Sequence, residues 1–247
     1  FTGPSRRARL LRWAERRALG LVRRLVVSSP GFISHHFAPQ GWRGETVLVE
    51  NKLWFGSDPP PRPMPRSRAG PWRIGWVGTI RCQPSFDLLW ALAEARPELE
   101  IVICGAVHTH AVADFHARVA ALPNLAYEGA YTYPTGLAAV YGDLDMVWAQ
   151  DLWQRGTNSD WLLPNRIYEA GYFGCPCVAL AGTETGRRVA EGGLGWALPE
   201  ATPEAFATLL DGLSDAEADR TRADLLAMPA ELFVQAPAEI AAMLGGP

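Results

Sequence analysis

The sequence has no run of about twenty apolar residues, so nothing in it is expected to span a bilayer. It has no recognisable secretion leader either. Cysteine is scarce. The four, at 82, 104, 175 and 177, are not in zinc spacing, and Cys175-Pro176-Cys177 is too tight for a redox pair. Reduced, buried thiols in a cytosolic protein are expected. The three spaced glycines of a dinucleotide fingerprint are missing, and so is the glycine-rich Lys-Ser/Thr loop that cradles phosphates. The absence of a starting methionine makes a fragment or a processed product the expectation.

Against these absences stand 247 residues that are 48% hydrophobic, enough for a sizeable core, with 24 glycines and 20 prolines for many loops. The net charge of −3 conceals an asymmetry. Residues 6–24 hold eight arginines against the single acid Glu15, so the remainder carries about −10. An acidic body of this kind argues against nucleic acid as a partner. Leu10, Leu11, Trp13, Leu19 and Leu21 interleave with the arginines, which fits either peripheral contact with an anionic membrane surface or a surface helix with a solvated basic face.

Periodicity places a helix over 6–24, a strand over 25–29, a turn entering another helix at Pro30, and a short strand with its exit loop over 46–54. The proline-rich stretch 57–71 reads as a stiff, irregular connector and a boundary. Regular alternation follows. Strands are expected at 72–78, 99–105, 124–129, 145–149, 176–180 and 194–198. Helices are expected at 84–97, 111–122, 134–142, 164–174 and 185–193, with further helical segments from 203 to 244. Apolar strands separated by helices make the fold class α/β, a Rossmann-like parallel sheet with helices on both faces. Such sheets bind ligands beyond the carboxyl ends of their strands.

The loops at those ends hold the candidate site residues. Gly78 permits a tight turn or a close ligand approach, and Thr79 and Arg81 suit an anion, although a plain structural turn fits equally. Gly105 ends the second strand of the set. His108 and His110 beyond it lack a third ligand for a metal. Gly129 ends the third, with Tyr131 and Tyr133 nearby to meet a planar base or to pack over a sheet edge. In PNRIYEAGYFGCPCVAL, Pro164 suits the first helical position. Asn165 and Arg166 then fall in the first turn, where free N–H groups favour phosphate. Glu169, an acceptor when ionised, suits vicinal sugar hydroxyls; a surface pair with Arg166 is the alternative. Glu184 either joins a ligand site or pairs with Arg187 or Arg188.

The ordered set IGWVGTIR, EIVICG, NLAYEGAY, LDMVWA and PNRIYEAGYFGCPCVAL resembles the carboxyl-terminal half of a GT-B glycosyltransferase of the retaining, family-4-like group, over roughly residues 70–235. RRLVVSSPGFISHHF and VLVENKLWF resemble the end of that family's first domain. The resemblance implies 1–56 as a remnant of an acceptor-side domain, 57–71 as a linker, 72–214 as the nucleotide-sugar-binding domain and 215–247 as C-terminal helices. It implies a UDP- or GDP-sugar donor and no metal cofactor. Gly78, Thr79, Arg81 and Arg166 would meet the diphosphate, Asn165 would add its first-turn position, and Glu169 would hold the ribose. Gly129 and Tyr131 would lie near the base, Gly105 would be a further donor-binding position, and Glu184 and Thr185 would lie near the sugar or the phosphates. Arg81, Arg166 and Glu169 are the expected catalytic set, the two arginines acting by stabilising charge on the departing diphosphate.

Two departures stand out. Trp161, with Asp160 beside it, occupies the position of the family's first glutamate, and the basic residues usual after the first glycine loop reduce to Arg81. The expected activity is transfer of a sugar to a glycan or lipid-linked acceptor in polysaccharide biosynthesis, in the cytoplasm and at the inner face of the membrane. A missing N-terminal domain or a partner chain would supply the second wall of the cleft. The alternatives are a non-catalytic nucleotide-sugar binding module, and an NAD enzyme, against which the missing fingerprint argues.

Overall fold

The computed structural model describes residues 5–56 and 59–244. Six strands form the main sheet: β3 (Arg73–Val77), β4 (Glu100–Cys104), β5 (Leu125–Gly129), β6 (Met146–Trp148), β7 (Cys177–Leu180) and β8 (Gly195–Leu198). Their order is β5-β4-β3-β6-β7-β8 and every pairing is parallel. The order reverses direction between β3 and β6, which opens a crevice beyond their carboxyl ends. A separate two-stranded parallel sheet joins β1 (Arg24–Val27) and β2 (Glu45–Leu48). The helices are α1 (Arg6–Leu19), α2 (Pro30–Phe32), α3 (Gln83–Ala95), α4 (Phe115–Ala120), α5 (Leu137–Gly142), α6 (Asn158–Trp161), α7 (Asn165–Tyr172), α8 (Glu184–Glu191), α9 (Pro203–Gly212), α10 (Asp215–Ala227) and α11 (Pro237–Leu244).

Both faces of the main sheet are covered, and the strand residues sort between them with a period of two. Ile74, Trp76, Ile101, Ile103, Met146 and Trp148 face one core with Phe86, Leu89, Phe115 and Phe206. Val77, Val102, Cys104, Val147, Cys177 and Ala179 face the other, with Tyr141, Ile167, Phe173 and Phe233. Each fully buried large apolar side chain contributes on the order of 1.5–3 kcal/mol. The one polar atom of buried Trp148 is satisfied, since its Nε1 donates to Ser85 Oγ at 3.1 Å.

The α/β class and the six main strands match the sequence reading; several boundaries do not. The first helix stops at Leu19, with Gly20 as its C-cap, and Arg24 already belongs to β1. The short strand and exit loop expected over 46–54 are β2 and the segment after it, in which Leu53 pairs separately with Val234. The helix expected over 111–122 begins only at Phe115, because Asp114 takes a left-handed φ of 50°. Pro164 is the N-cap of α7 and not its first helical residue. A short helix, α6, was not anticipated. The 215–244 stretch breaks into α10, a 3-10 turn at Ala230–Leu232, and α11, interrupted by Pro229 and Pro237.

Residues 59–71 run as irregular chain, yet they are tied down. Arg62 spends its guanidinium on four carbonyls: Nε on Tyr172 (2.9 Å), Nη1 on Met228 (2.6 Å), and Nη2 on Gly171 (3.2 Å) and Leu225 (2.6 Å). Arg66 donates to Gly142 O, Leu144 O and buried Asp145. The segment therefore straps α7 and α10, satisfying carbonyls that helix ends leave open. Gly171 is glycine for a steric reason: a Cβ there would lie 2.2 Å from the Phe233 ring. Phe233 O in turn accepts from Leu53 N at 2.8 Å, so the chain's last quarter crosses back to the small sheet's exit segment. All four cysteines are free and buried, as expected. Burial pushes the Cys175 thiol up to about 12.

Candidate active site

A cavity of about 620 Å³ opens at the crevice between β3 and β6. Its floor is glycine backbone. Gly78 follows β3 with φ 111° and Gly105 follows β4 with φ 137°. A Cβ on Gly105 would fall 1.7 Å from Gly78 O, so only glycine lets these turns lie against each other. Gly78 N donates to Cys104 O, Ile80 N to Ala106 O, and Gly105 N to Gly129 O, which ties the three turns in a row.

Arg166 enters from the first turn of α7. Its Nε donates to Val77 O (2.5 Å) and its Nη1 to Trp148 O (3.1 Å) and Ala149 O (3.2 Å). The guanidinium therefore spans the carboxyl ends of β3 and β6, the two strands that flank the switch point. Its Nη2 makes no hydrogen bond among the described residues, and it lies 3.6 Å from where a Gly78 Cβ would be. A cation at this place, beside the free amides of a helix start, suits an anionic group.

Glu169 lies one turn further along α7 and is 6% exposed. Its Oε2 accepts from Tyr141 Oη at 2.8 Å, and the carboxylate faces the cavity. Burial raises its pKa above the ordinary carboxylate value; the Tyr141 hydrogen bond and the Arg166 charge oppose that rise. No Arg166–Glu169 ion pair forms among the described residues, which sets aside the surface-pair alternative. Tyr131 borders the same space, and its phenol is pushed up to about 12 by burial and then by the Glu169 charge.

Of the sequence-predicted residues, Gly78, Thr79, Arg81, Gly105, Tyr131, Asn165, Arg166 and Glu169 line this one cavity. Arg81 is exposed at the rim, its guanidinium 5.0 Å from the Trp153 ring. Gly129 sits just behind, through its bond to Gly105 N. Glu184 and Thr185 lie elsewhere. Glu184 borders a second cavity of about 580 Å³ with His35, Asp160 and Trp161, and Arg187 Nε donates to it at 3.1 Å. Thr185 is buried and donates to Leu162 O. These two face away because α8 starts at Glu184 and turns its first residues toward α6.

Sequence reasoning missed Asn51, Gln150 and Asp151, all on the cavity wall. Gln150 and Asp151 directly follow an apolar strand, and that position was a usable signal. Asn51 had none: it reaches the site from the segment after β2 and donates to Leu163 O at 2.9 Å. His108 and His110 are exposed with rings 5.5 Å apart, and no group of three or more His, Cys, Asp or Glu gathers among the described residues. No described helix is long and apolar enough to cross a membrane.

This sheet order, with its paired glycine turns and the α7 arginine and glutamate at the switch point, makes a Rossmann-like α/β unit, and known structures share the fold. The chain is 37% identical over 216 residues to the succinoglycan biosynthesis protein ExoL of Rhizobium meliloti, spanning 83% of this chain but only 53% of that protein. The crystal structure of Anabaena Alr3699/HepE in complex with UDP-glucose superposes with a TM-score of 0.67 at 16% identity, over 94% of this chain and 67% of that one. TarM superposes at 0.63 with 13% identity, over 92% and 43%. No family model matches.

Proposed function

We propose that this chain is the donor-binding part of a retaining, family-4-like glycosyltransferase. It takes a sugar from a UDP- or GDP-sugar and passes it to a glycan or lipid-linked acceptor in polysaccharide biosynthesis. The reading rests above all on one juxtaposition: the Gly78 turn, the Arg166 guanidinium and the Glu169 carboxylate share a cavity at the switch point of the sheet. Its support in the comparisons is ExoL, named for succinoglycan biosynthesis, and HepE, solved with UDP-glucose.

In this reading Glu169, fixed by Tyr141, accepts hydrogen bonds from the ribose hydroxyls. The base lies toward Tyr131, with Gly105 and Gly129 providing close backbone approach. The diphosphate sits over the Gly78–Thr79 turn and the first turn of α7 at Asn165, between Arg166 and Arg81. Fixed cations and amides aimed at the leaving diphosphate stabilise the charge that develops as the glycosidic bond breaks, and no metal is required. Residues 1–56 belong to an acceptor-side domain, 57–71 to a linker, 72–214 to the donor domain and 215–247 to the closing helices. The arginines of α1, with Leu10 63% and Trp13 56% exposed, bring the enzyme to an anionic membrane on the cytoplasmic side.

Calorimetry of the purified chain against UDP, GDP, ADP and their sugars tests the site, repeated with Glu169→Ala and Arg166→Ala. Nucleotide binding that both substitutions leave untouched refutes the assignment. A second reading, a non-catalytic module completed by a partner chain, draws on the chain spanning 53% of ExoL. Turnover of a nucleotide-sugar by this chain alone would exclude it.

A further inference from the structure

Two carboxylates line the cavity, and the reading above uses only Glu169. The other, Asp151, lies just beyond β6, two and three residues after the Ala149 and Trp148 carbonyls that hold Arg166. Glu169 accepts from Tyr141 of α5, whereas Asp151 accepts from Trp153 and Ser159 in the stretch after β6, so the two acids are fixed by different elements of the cavity wall.

Asp151 is held in place. Its Oδ1 accepts from Trp153 N at 2.7 Å and from Ser159 Oγ at 2.8 Å. Ser159 is fully buried and itself accepts from Gln154 N at 2.7 Å. Gln150, also fully buried, donates to Asp151 O and Ser159 O and accepts from Thr183 Oγ1, which locks this loop to the one after β7. Oδ2 makes no hydrogen bond among the described residues. One oxygen is thus fixed and the other is left without a hydrogen-bond partner among the described residues, on a residue that lines the cavity.

A diphosphate is repelled from this place and drawn to Arg166 and Arg81. An ionised carboxylate can only accept, and the hydroxyl donors of a nucleotide-sugar beyond its diphosphate belong to the transferred sugar. No other acid competes for that role from α6. Trp161 is turned onto His35, with ring centroids 5.9 Å apart, and Asp160 pairs with Arg155 at 3.0 Å.

Resting on the donor-site reading, we infer that Asp151 selects the transferred sugar by accepting hydroxyl hydrogen bonds through Oδ2. The preferred class is a neutral hexose, and an acidic sugar such as a uronic acid is turned away by like charge. Asp151→Asn tests this, because an asparagine oxygen still accepts from Trp153 N and Ser159 Oγ while the free position loses its charge. The probes are UDP, UDP-glucose and UDP-glucuronic acid, titrated into the parent chain and the variant, with GDP and GDP-mannose in parallel. The variant is expected to bind UDP within about twofold of the parent. Its affinity for UDP-glucose relative to UDP falls by about tenfold, the usual scale of a charged hydrogen bond. Its discrimination against UDP-glucuronic acid falls by a similar factor. The parent's own preference of about tenfold or more for UDP-glucose over UDP-glucuronic acid is a second measurement, independent of how well the variant folds. Intact nucleotide binding with unchanged ratios overturns the role of Asp151 alone. A parent chain that binds no nucleotide overturns the donor-site reading, and this inference with it.

Discussion

Replacing Glu169 by glutamine separates stability from binding. The glutamate is 6% exposed, and one of its two oxygens has a hydrogen-bond donor, Tyr141 Oη at 2.8 Å. Glutamine keeps the length and can still accept from Tyr141, but it removes a buried charge. Relieving that desolvation is expected to stabilise the fold by about 1 kcal/mol, or about 2–4 °C in Tm for a chain of this size. The sign follows from the raised pKa. The folded state holds the Glu169 proton more tightly than the unfolded chain does, so the parent loses stability as pH rises from the ordinary value of 4.5 through the raised one. The advantage of Glu169→Gln is therefore full at neutral pH. It shrinks as pH falls through the raised value and vanishes below 4.5. Nucleotide affinity moves the other way, falling about 10–100-fold as charged hydrogen bonds to the ribose become neutral ones. Thermal melts at several pH values with calorimetry at pH 7 check both. A lower Tm at neutral pH, or unchanged affinity, refutes the reasoning.

Tyr141→Phe is expected to weaken nucleotide binding by about tenfold and to shift the acid limb of binding upward, because the hydrogen bond that favours ionised Glu169 is lost; a pH series of titrations reads this. Gly105→Ala is expected to abolish folding or lower Tm by more than about 10 °C, since its Cβ meets Gly78 O at 1.7 Å. Gly129→Ala has open space and a φ of 84°, so it costs only the left-handed backbone term of about 1–2 kcal/mol, and paired melts distinguish the two. Arg62→Ala strands four carbonyls at the ends of α7 and α10 and is expected to cost about 2–4 kcal/mol in denaturant unfolding, with nucleotide affinity little changed.

The strands were legible because burial on both faces writes itself as short apolar runs, and WRIGWVG, LEIVICG and DMVWA each contain a strand of the sheet. The glycine turns were legible for the same reason, since a glycine at the end of such a run has few other causes. What stayed hidden is what depends on a partner distant in sequence. Nothing near Tyr141 announces that its hydroxyl meets Glu169, twenty-eight residues on. Asn51 reaches the cavity only because Leu53 pairs with Val234 and holds its segment against the larger sheet. Glu184 and Thr185 follow a strand as the other candidates do. They turn away because Thr183 caps α8 and sends its first residues toward α6, a geometry that position relative to a strand does not encode.

Arg166 shows why scaffold and site are not separable at this switch point. Where the strand order reverses, β3 and β6 end side by side, and their last carbonyls lack the next strand residue as a partner. Buried without a donor, each would cost about 1–3 kcal/mol. Arg166 supplies donors to Val77, Trp148 and Ala149 from the first turn of α7. A lysine presents a single point of charge and cannot span both strand ends in a planar fork. The guanidinium that closes the sheet thereby has its position fixed before any ligand arrives, with Nη2 left toward the Gly78 turn. The protein reorganises little to meet an anion there, and a substitution that removes the fork loosens β3 from β6 as well as the ligand from the cleft.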